Sequence, residues 1–375
     1  MLTSDDVKTF AREAGFDLCG IAPAKAFPEL RFLDDWLERG YGGEMRYLAR
    51  NARRRSDVRE VVPSALSVIS LGTLYDTDRP YSIEVNDPDA ALISRYAWGA
   101  DYHDVVGRRT EALLERMRAA AGEPFEARCY VDTGPVQERV YAQHAGLGWI
   151  GKNTCLINPE QGSWFFLSEI ITSLPLDPDA PQIDQCGTCT LCLEACPTGA
   201  FPEPGVLDAT RCLSYLTIEI RGAIPEDRRA DVGTRVYGCD ICQEVCPYNA
   251  APVRSNDPAW QPAPELDQPR LSALWRQSDE RLEALLERSA MSRARLKGLR
   301  RNVAVALGNS ATAAAAAALA EPVSTATPSR GDPLVAEHVD WARRGLAARL
   351  SVPAAENQRR RAPPKSAATP PVVRE

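Results

Sequence analysis

Cys186-Gly187-Thr188-Cys189-Thr190-Leu191-Cys192-Leu193-Glu194-Ala195-Cys196-Pro197 is the stretch on which the reading of this chain turns. Its cysteines are spaced C-x2-C-x2-C-x3-C, and a proline stands directly after the fourth. Three thiolates on one tight loop reach three irons of a cubane, while the fourth, carried off by the proline turn, reaches a second cluster. A shorter run, Cys239, Cys242 and Cys246-Pro247, lacks one ligand, which Cys212 between the runs can supply. The count closes on two [4Fe–4S] clusters. Cys186, Cys189, Cys192 and Cys246 surround one; Cys196, Cys212, Cys239 and Cys242 surround the other. Zinc knuckles also use C-x2-C pairs, but they do not call for third and fourth cysteines at these offsets with proline behind. Cys19, Cys129 and Cys155 sit in apolar segments and read as core thiols.

Outward from the cysteines, the chain looks like an ordinary globular protein. It has 375 residues, 44% hydrophobic and 25% charged, which leaves room for two or three domains. The N-terminus is polar and acidic, unlike an export signal, and no apolar run approaches the roughly 18 residues that span a bilayer. The expectation is a cytoplasmic monomer with no membrane contact. Eleven cysteines in such a chain speak for metal rather than disulfides. A formal charge of −7 excludes a globally basic nucleic-acid coat and leaves room for a local basic patch.

Residues 4–14 predict a capped helix stopped by Gly15, and residues 16–22 a buried strand. Further strands are expected at 68–71 and 127–132, and an amphipathic helix at 110–120. This alternation suggests a layered α/β domain over residues 1–175. Residues 176–255 form the cysteine-rich, loop-rich region, and a proline-rich connector covers 251–269. Residues 282–307 and 333–350 read as helices separated by the alanine run 313–318, within a helical region over 256–350. Residues 351–375, rich in Pro, Ala and Arg, read as a disordered tail. The fold class is α+β: an α/β domain, a bacterial ferredoxin-like two-cluster domain, and a helical extension.

A ferredoxin needs only the cysteine-rich region, so the clusters are expected to feed a site in the preceding domain. Three polar segments stand there. Asp101-Tyr102-His103 offers a carboxylate, a phenol and an imidazole in succession. Asp132, in Tyr130-Val131-Asp132-Thr133-Gly134-Pro135, ends a predicted strand, where a poorly hydrated pocket raises a carboxyl enough for general-acid work. It is equally a turn former before Gly134, and His103 is equally a packed surface histidine. The third segment, Gly146-Leu147-Gly148-Trp149-Ile150-Gly151-Lys152-Asn153, is a glycine-rich turn with one lysine but no dinucleotide fingerprint.

Taken in order, these segments with Gly162-Ser163-Trp164, Arg211-Cys212-Leu213-Ser214-Tyr215 and Tyr237-Gly238-Cys239-Asp240 closely resemble the epoxyqueuosine reductases. These are cobalamin-dependent iron–sulfur enzymes that finish queuosine synthesis on tRNA. The resemblance runs over residues 1–350. Arg300-Arg301-Asn302-Val303-Ala304-Val305-Ala306-Leu307-Gly308-Asn309, Asp332-Pro333 and Trp341 are similar to the HEAT-like repeat of longer members. Asp57-Val58-Arg59 replaces the usual Asp-Pro-Arg, and Ala100 stands where a polar residue is common.

The resemblance implies cobalamin bound between the α/β and cluster domains, fed through both clusters by an external low-potential electron donor. It implies Asp132 as proton donor, with Asp101, Tyr102 and His103 lining the substrate pocket. Arg55, Ser94, Asp132, Ser163, Ser214 and Asp240 become candidate cobalamin contacts. The partner is a tRNA anticodon stem-loop, whose splayed base suits a pocket. Candidate tRNA contacts are Arg221 and the basic stretch Arg293, Arg295, Lys297, Arg300 and Arg301, with Arg359-Arg360-Arg361 adding nonspecific attraction. Two other functions remain open on the residues alone: an electron-transfer subunit without corrinoid, and a dehalogenase-like cobalamin enzyme acting on small organohalides.

Overall fold

The computed structural model describes residues 2–350; the tail 351–375, with Arg359-Arg360-Arg361, lies outside the described residues. α1 (Ser4–Glu13) starts at a capping box, in which the Thr3 side chain accepts the Asp6 N–H and the Asp6 carboxylate accepts the Thr3 N–H. Gly15, at φ 88°, turns the chain out of the helix.

A four-stranded sheet follows, built from β1 (Leu18–Pro23), β2 (Ser67–Leu74), β3 (Ala127–Tyr130) and β4 (Phe165–Thr172) in the order β1-β2-β4-β3. Each neighbouring pair is antiparallel: Ile21 faces Ile69, Ile69 faces Ile170, and Ile170 faces Cys129. The expected helix and strand layers are present, but the strands do not run parallel as βαβ alternation would make them. β2 is buried along its whole length, as a central strand covered on both faces must be. On one face Val7 and Ala11 of α1 and Leu113 and Met117 of α2 (Tyr102–Ala120) meet Ile69, Leu71 and Ile170. On the other, Val140, Tyr141 and Ala142 of α3 (Glu138–His144) meet Val68 and Ile171. The turn after α3 lies so close to β1 that a Cβ on Gly20 would fall 2.0 Å from the Ala145 carbonyl.

The two cysteine runs carry one-turn helices at Leu191–Glu194 and Ile241–Glu244. A parallel pairing of Leu92–Ile93 with Arg235–Tyr237 brings the second run beside the segment leading to α2. α4 (Leu213–Ile218) begins directly after Cys212.

The helical region opens with a short helix at Leu271–Arg276 and continues with α5 (Asp279–Glu287), α6 (Arg295–Ser310), α7 (Ala313–Ala320) and α8 (Pro333–Leu350). The single helix expected over 282–307 is broken: Ser289 caps a short 3-10 turn at Ala290–Ala294, and Arg295 takes φ 60°. Nor is the alanine run a separator. It is α7 itself, capped by Thr312, whose side chain accepts the Ala315 N–H at 3.1 Å. α6 packs between α8 and the cysteine-rich region. Asn302 Nδ2 donates to the Thr217 and Val236 carbonyls at 2.7 and 2.8 Å, fixing the extension to the segments that follow Cys212 and precede Cys239. No described helix is long and apolar enough to cross a membrane.

Candidate active site and cluster-ligating region

α2 begins at Asp101, whose carboxylate accepts the His103 backbone N–H at 3.0 Å. The same oxygen lies 2.7 Å from His103 Nδ1, and the other ring nitrogen, Nε2, lies 3.3 Å from Asp132 Oδ2. The imidazole is strung between two carboxylates. Burial works against its charge, but the bonds to Asp101 and Asp132 overcome it and raise His103 from 6.5 to about 9. Hydrogen bonding to His103 holds Asp101 below its ordinary value against burial.

Asp132 departs from expectation. The surrounding protein pushes its carboxyl up, but His103 and then Tyr102 outweigh this, and the net shift is downward. Its side chain is 59% exposed, not sealed in an apolar pocket. At neutral pH the proton of this trio therefore sits on His103.

Asp132 is also a turn residue, at φ 54° in the left-handed region. Aspartate tolerates that conformation at a cost of about 1 kcal/mol or more. Its N–H donates to Glu138 Oε1 at 2.6 Å, from the first residue of α3. Tyr102 stacks between His103 and Phe166, with centroid distances of 4.0 and 4.5 Å. Burial, then the Asp132 charge, raises its phenol, so it remains a hydrogen-bond donor. Behind it the Tyr96 and Tyr237 hydroxyls lie 3.1 Å apart.

Across from this trio stand residues the sequence reading did not place in a pocket. Tyr47 lies within electrostatic reach of Asp132, Arg55 and Glu219. Arg293 pairs with Glu219 at 2.7 Å and sits 5.2 Å over the Tyr47 ring. It too feels the Asp132 charge.

Of the residues expected to contact cobalamin, Arg55 donates through Nη1 to the Val136 carbonyl at 2.8 Å, while its buried Nε–H has no acceptor among the described residues. A buried donor without a partner fits a polar group on a bound molecule. Ser214 is half-buried beside Cys212. Ser94, Ser163 and Asp240 have internal partners. Ser94 Oγ donates to the Asp240 carboxylate, which also accepts the Arg95 N–H at 2.7 Å. Ser163 Oγ accepts from Gln243 and Asn249.

The cysteines fall into two neighbourhoods. Cys192 lies within electrostatic reach of Cys186 and Cys189, and Cys246 of Cys192 and Cys186. Cys212 lies within reach of Cys196, Cys239 of Cys212, and Cys242 of both Cys239 and Cys212. Eight thiols gathered this way suit iron–sulfur ligation in their donor chemistry. Cys155, expected as a plain core thiol, lies close enough to Cys242 for that thiol to lower it against burial. Cys19 and Cys129 lie in β1 and β3, and burial pushes each up to about 12.

The glycine-rich turn clamps both runs. Lys152 Nζ donates to the Gly187 and Cys189 carbonyls at 2.6 and 2.9 Å, and Asn153 Nδ2 donates to the Cys242 carbonyl at 3.0 Å. Trp149 Nε1 lies 3.5 Å from Cys186 Sγ. Its glycines are needed for close approach: a Cβ on Gly148 would lie 2.3 Å from the Ile157 carbonyl oxygen.

The basic stretch divides. Arg293, Arg295 and Lys297 are exposed, as is Arg221, whose guanidinium donates to the Arg293 carbonyl at 2.8 Å. Arg300 and Arg301 are buried, at 0% and 1% exposure, which corrects their assignment as tRNA contacts. Arg300 bonds to Asp279 at 2.8 Å and to the Gln277 carbonyl at 2.6 Å. Arg301 bonds to the Leu216, Ile220 and Gly222 carbonyls at 2.6–2.9 Å. All of this donor capacity is turned inward, so neither can meet a phosphate.

Comparison with known proteins agrees with this geometry. The family model for epoxyqueuosine reductase QueG, DUF1730, matches residues 55–133, and that for a 4Fe-4S double cluster binding domain matches residues 185–249. The chain is 43% identical over 348 residues to an epoxyqueuosine reductase of Pseudomonas aeruginosa, covering 91% of this chain and 94% of that one. It is similar to a solved epoxyqueuosine reductase with a tRNA-Tyr epoxyqueuosine-modified stem loop, with a TM-score of 0.81 at 29% identity, covering 96% and 94%. It is also similar to a Bacillus subtilis epoxyqueuosine reductase whose catalytic loop is swung out of the active site, with a TM-score of 0.77 at 30% identity, covering 92% and 97%. The chain belongs to the epoxyqueuosine reductase family.

Proposed function

We propose that this chain, an oxidoreductase of that family, reduces epoxyqueuosine to queuosine in the anticodon loop of tRNA. The observation that carries the reading is the chain Asp101–His103–Asp132, which holds a proton at a site otherwise lined by Tyr47, Tyr102 and Arg293. Converting an epoxide to an alkene takes two electrons and two protons and releases water. The site must therefore deliver protons to an oxygen that leaves.

His103, charged at neutral pH, passes its proton through Nε2 to Asp132, which faces the opening and relays it to the departing oxygen. Asp101 fixes the ring by accepting from Nδ1. Tyr102 donates to Asp132 and, stacked on Phe166, keeps water from one side of the pair. General-acid delivery of this kind contributes roughly a hundredfold or more in rate.

Cys186, Cys189, Cys192 and Cys246 would hold one [4Fe–4S] cluster and Cys196, Cys212, Cys239 and Cys242 a second, and the pair would supply one-electron carriers between an external low-potential donor and the site. Arg55, through its unpartnered Nε–H, and Ser214 are proposed to hold a cobalamin beside Asp132. Bound cobalamin supplies a strongly nucleophilic low-valent cobalt. We divide the chain into an α/β domain over 1–175, a cluster domain over 176–255 and a HEAT-like extension over 256–350. Arg221, Arg293 and Arg295 replace Arg300 and Arg301 as the proposed tRNA contacts. In the Bacillus subtilis relative the catalytic loop is seen outside the active site, so the loop bearing Asp132 is proposed to be held in place by specific contacts.

The test is anaerobic turnover of an epoxyqueuosine-containing anticodon stem-loop, read by nucleoside mass spectrometry. Queuosine should form, with close to eight irons and one cobalt per chain. Absence of corrinoid from active protein removes the cobalamin assignment, and absence of queuosine from fully loaded protein removes the function.

A further inference from the structure

Below Asp132 lies a pair of acids that the reaction as described does not use. Glu169 stands on β4 opposite Tyr130 of β3, two residues before Asp132 in that strand's continuation, and is completely buried. Neither of its carboxyl oxygens receives a hydrogen bond from an N–H or hydroxyl among the described residues. Its neighbour is another acid, the Glu138 carboxyl, which lies at hydrogen-bonding distance. Glu138 in turn accepts the backbone N–H of Asp132 at 2.6 Å. The Asp132 carboxylate adds to the rise of Glu138, and the guanidinium of Arg139, exposed on α3, opposes it.

Two ionised carboxylates in contact, one of them without any solvent exposure, repel strongly and lose hydration together. Acids forced together in this way keep one proton between them. Burial raises both: the Asp132 charge then adds to the rise of Glu138, to about 7, while the Glu138 charge and the hydrogen bond between the pair add to the rise of Glu169 and draw Glu138 back down.

We infer that Glu138 and Glu169 share one proton and act together as a positioning device for Asp132, clamping its N–H and so holding its loop in the left-handed turn that faces the substrate. The Glu169 carboxyl donates to Glu138, and this neutralises the repulsion that would drive Glu138 away. Glu138 then has an oxygen free for the Asp132 N–H. Without this clamp nothing else among the described residues bonds the Asp132 backbone amide, and a non-glycine residue at φ 54° relaxes readily. This inference rests on the proposed role of Asp132 as proton donor. Neither glutamate touches substrate.

The test compares Glu169→Gln, Glu169→Leu, Glu138→Gln and Glu138→Ala in the holoenzyme. Glutamine at 169 still donates to Glu138, and glutamine at 138 still accepts from Asp132, so both should keep kcat within about threefold of the parent. Glu138→Ala should lose about tenfold or more in kcat with KM for the stem-loop unchanged within twofold, because the donor is misplaced while the RNA surface is intact. Glu169→Leu should behave likewise if it folds. Infrared spectroscopy gives a readout that needs no turnover: a protonated-carboxyl band should persist at pH 8 and vanish in Glu169→Gln. The inference is overturned if that band is absent from the parent, if Glu138→Ala keeps parental kcat, or if Glu169→Gln is as impaired as Glu138→Ala. Failure of the functional reading looks different, since the parent itself then yields no queuosine while the band remains.

Discussion

His103, at the sheet end of the molecule, lies between two carboxylates and is raised to about 9; His338, on α8 of the helical extension, is lowered to about 4. His103 keeps a third of its side chain exposed and faces Asp132. His338 has no exposure; burial removes its charge, its Nε2 accepts the Ile224 N–H at 3.1 Å, and its Nδ1 donates to the Leu334 carbonyl at 2.7 Å. The arginines divide in the same manner. Arg293 holds its guanidinium over the site, whereas Arg301, eight positions on, spends its donors on carbonyls inside the fold, and burial pushes it down to about 10. One residue type thus stays available to a partner where its side chain is reachable and builds architecture where every partner is internal.

The largest effect that sharpens this contrast is expected at Arg301. Arg301→Ala removes a fully buried guanidinium that donates to three carbonyls, that of Leu216 buried and those of Ile220 and Gly222 partly so, and should cost about 3 kcal/mol or more in stability, read by thermal unfolding of the holoprotein. A small change there would dissolve the distinction between the two arginines. Next is Asp132→Asn, which keeps shape and hydrogen bonding but cannot release a proton. It should retain clusters and corrinoid while turnover falls roughly a hundredfold or more.

Histidine linkage gives an opposite pair. His103 is raised by folding, so its stabilising contribution is full below about 6.5 and is lost as pH rises through about 9. His338 is lowered, so its contribution is full above about 6.5 and is lost as pH falls through about 4. His103→Ala should flatten the alkaline side of the stability profile, and a His338 variant carrying a neutral hydrogen-bonding side chain, His338→Gln, the acid side. The smallest effect is expected at Arg293→Ala: stability nearly unchanged, stem-loop binding weakened a few-fold, and the salt dependence of binding reduced by about one unit of slope.

Much of the site could be read in the sequence because its signals are local. The cysteine spacings, the Asp-Tyr-His triplet at a helix start and the Asp-Thr-Gly turn each lie within a few consecutive residues. The direction of the strands could not be read, since 68–71 and 127–132 look alike whether they pair parallel or antiparallel, and Phe165–Thr172, buried on nearly every residue, lacks the alternation that marks a strand. The burial of Arg300 and Arg301 was hidden because the helix that carries them begins anew at Arg295, after the break at Ala290–Ala294. Glu169 gave no signal at all: an acid in an apolar strand shows its meaning only when Glu138 arrives from α3.

The proposed chemistry turns on one proton held by His103 between Asp101 and Asp132. The most direct test is the pH dependence of kcat/KM for stem-loop reduction in the parent and in Asp101→Asn. Burial disfavours the imidazolium and Asp101 supports it, so removing that carboxylate must lower the histidine. The parent should lose activity on the alkaline side near pH 9, and Asp101→Asn should move that limb toward 6.5. An alkaline limb at the same pH in both proteins would contradict the account.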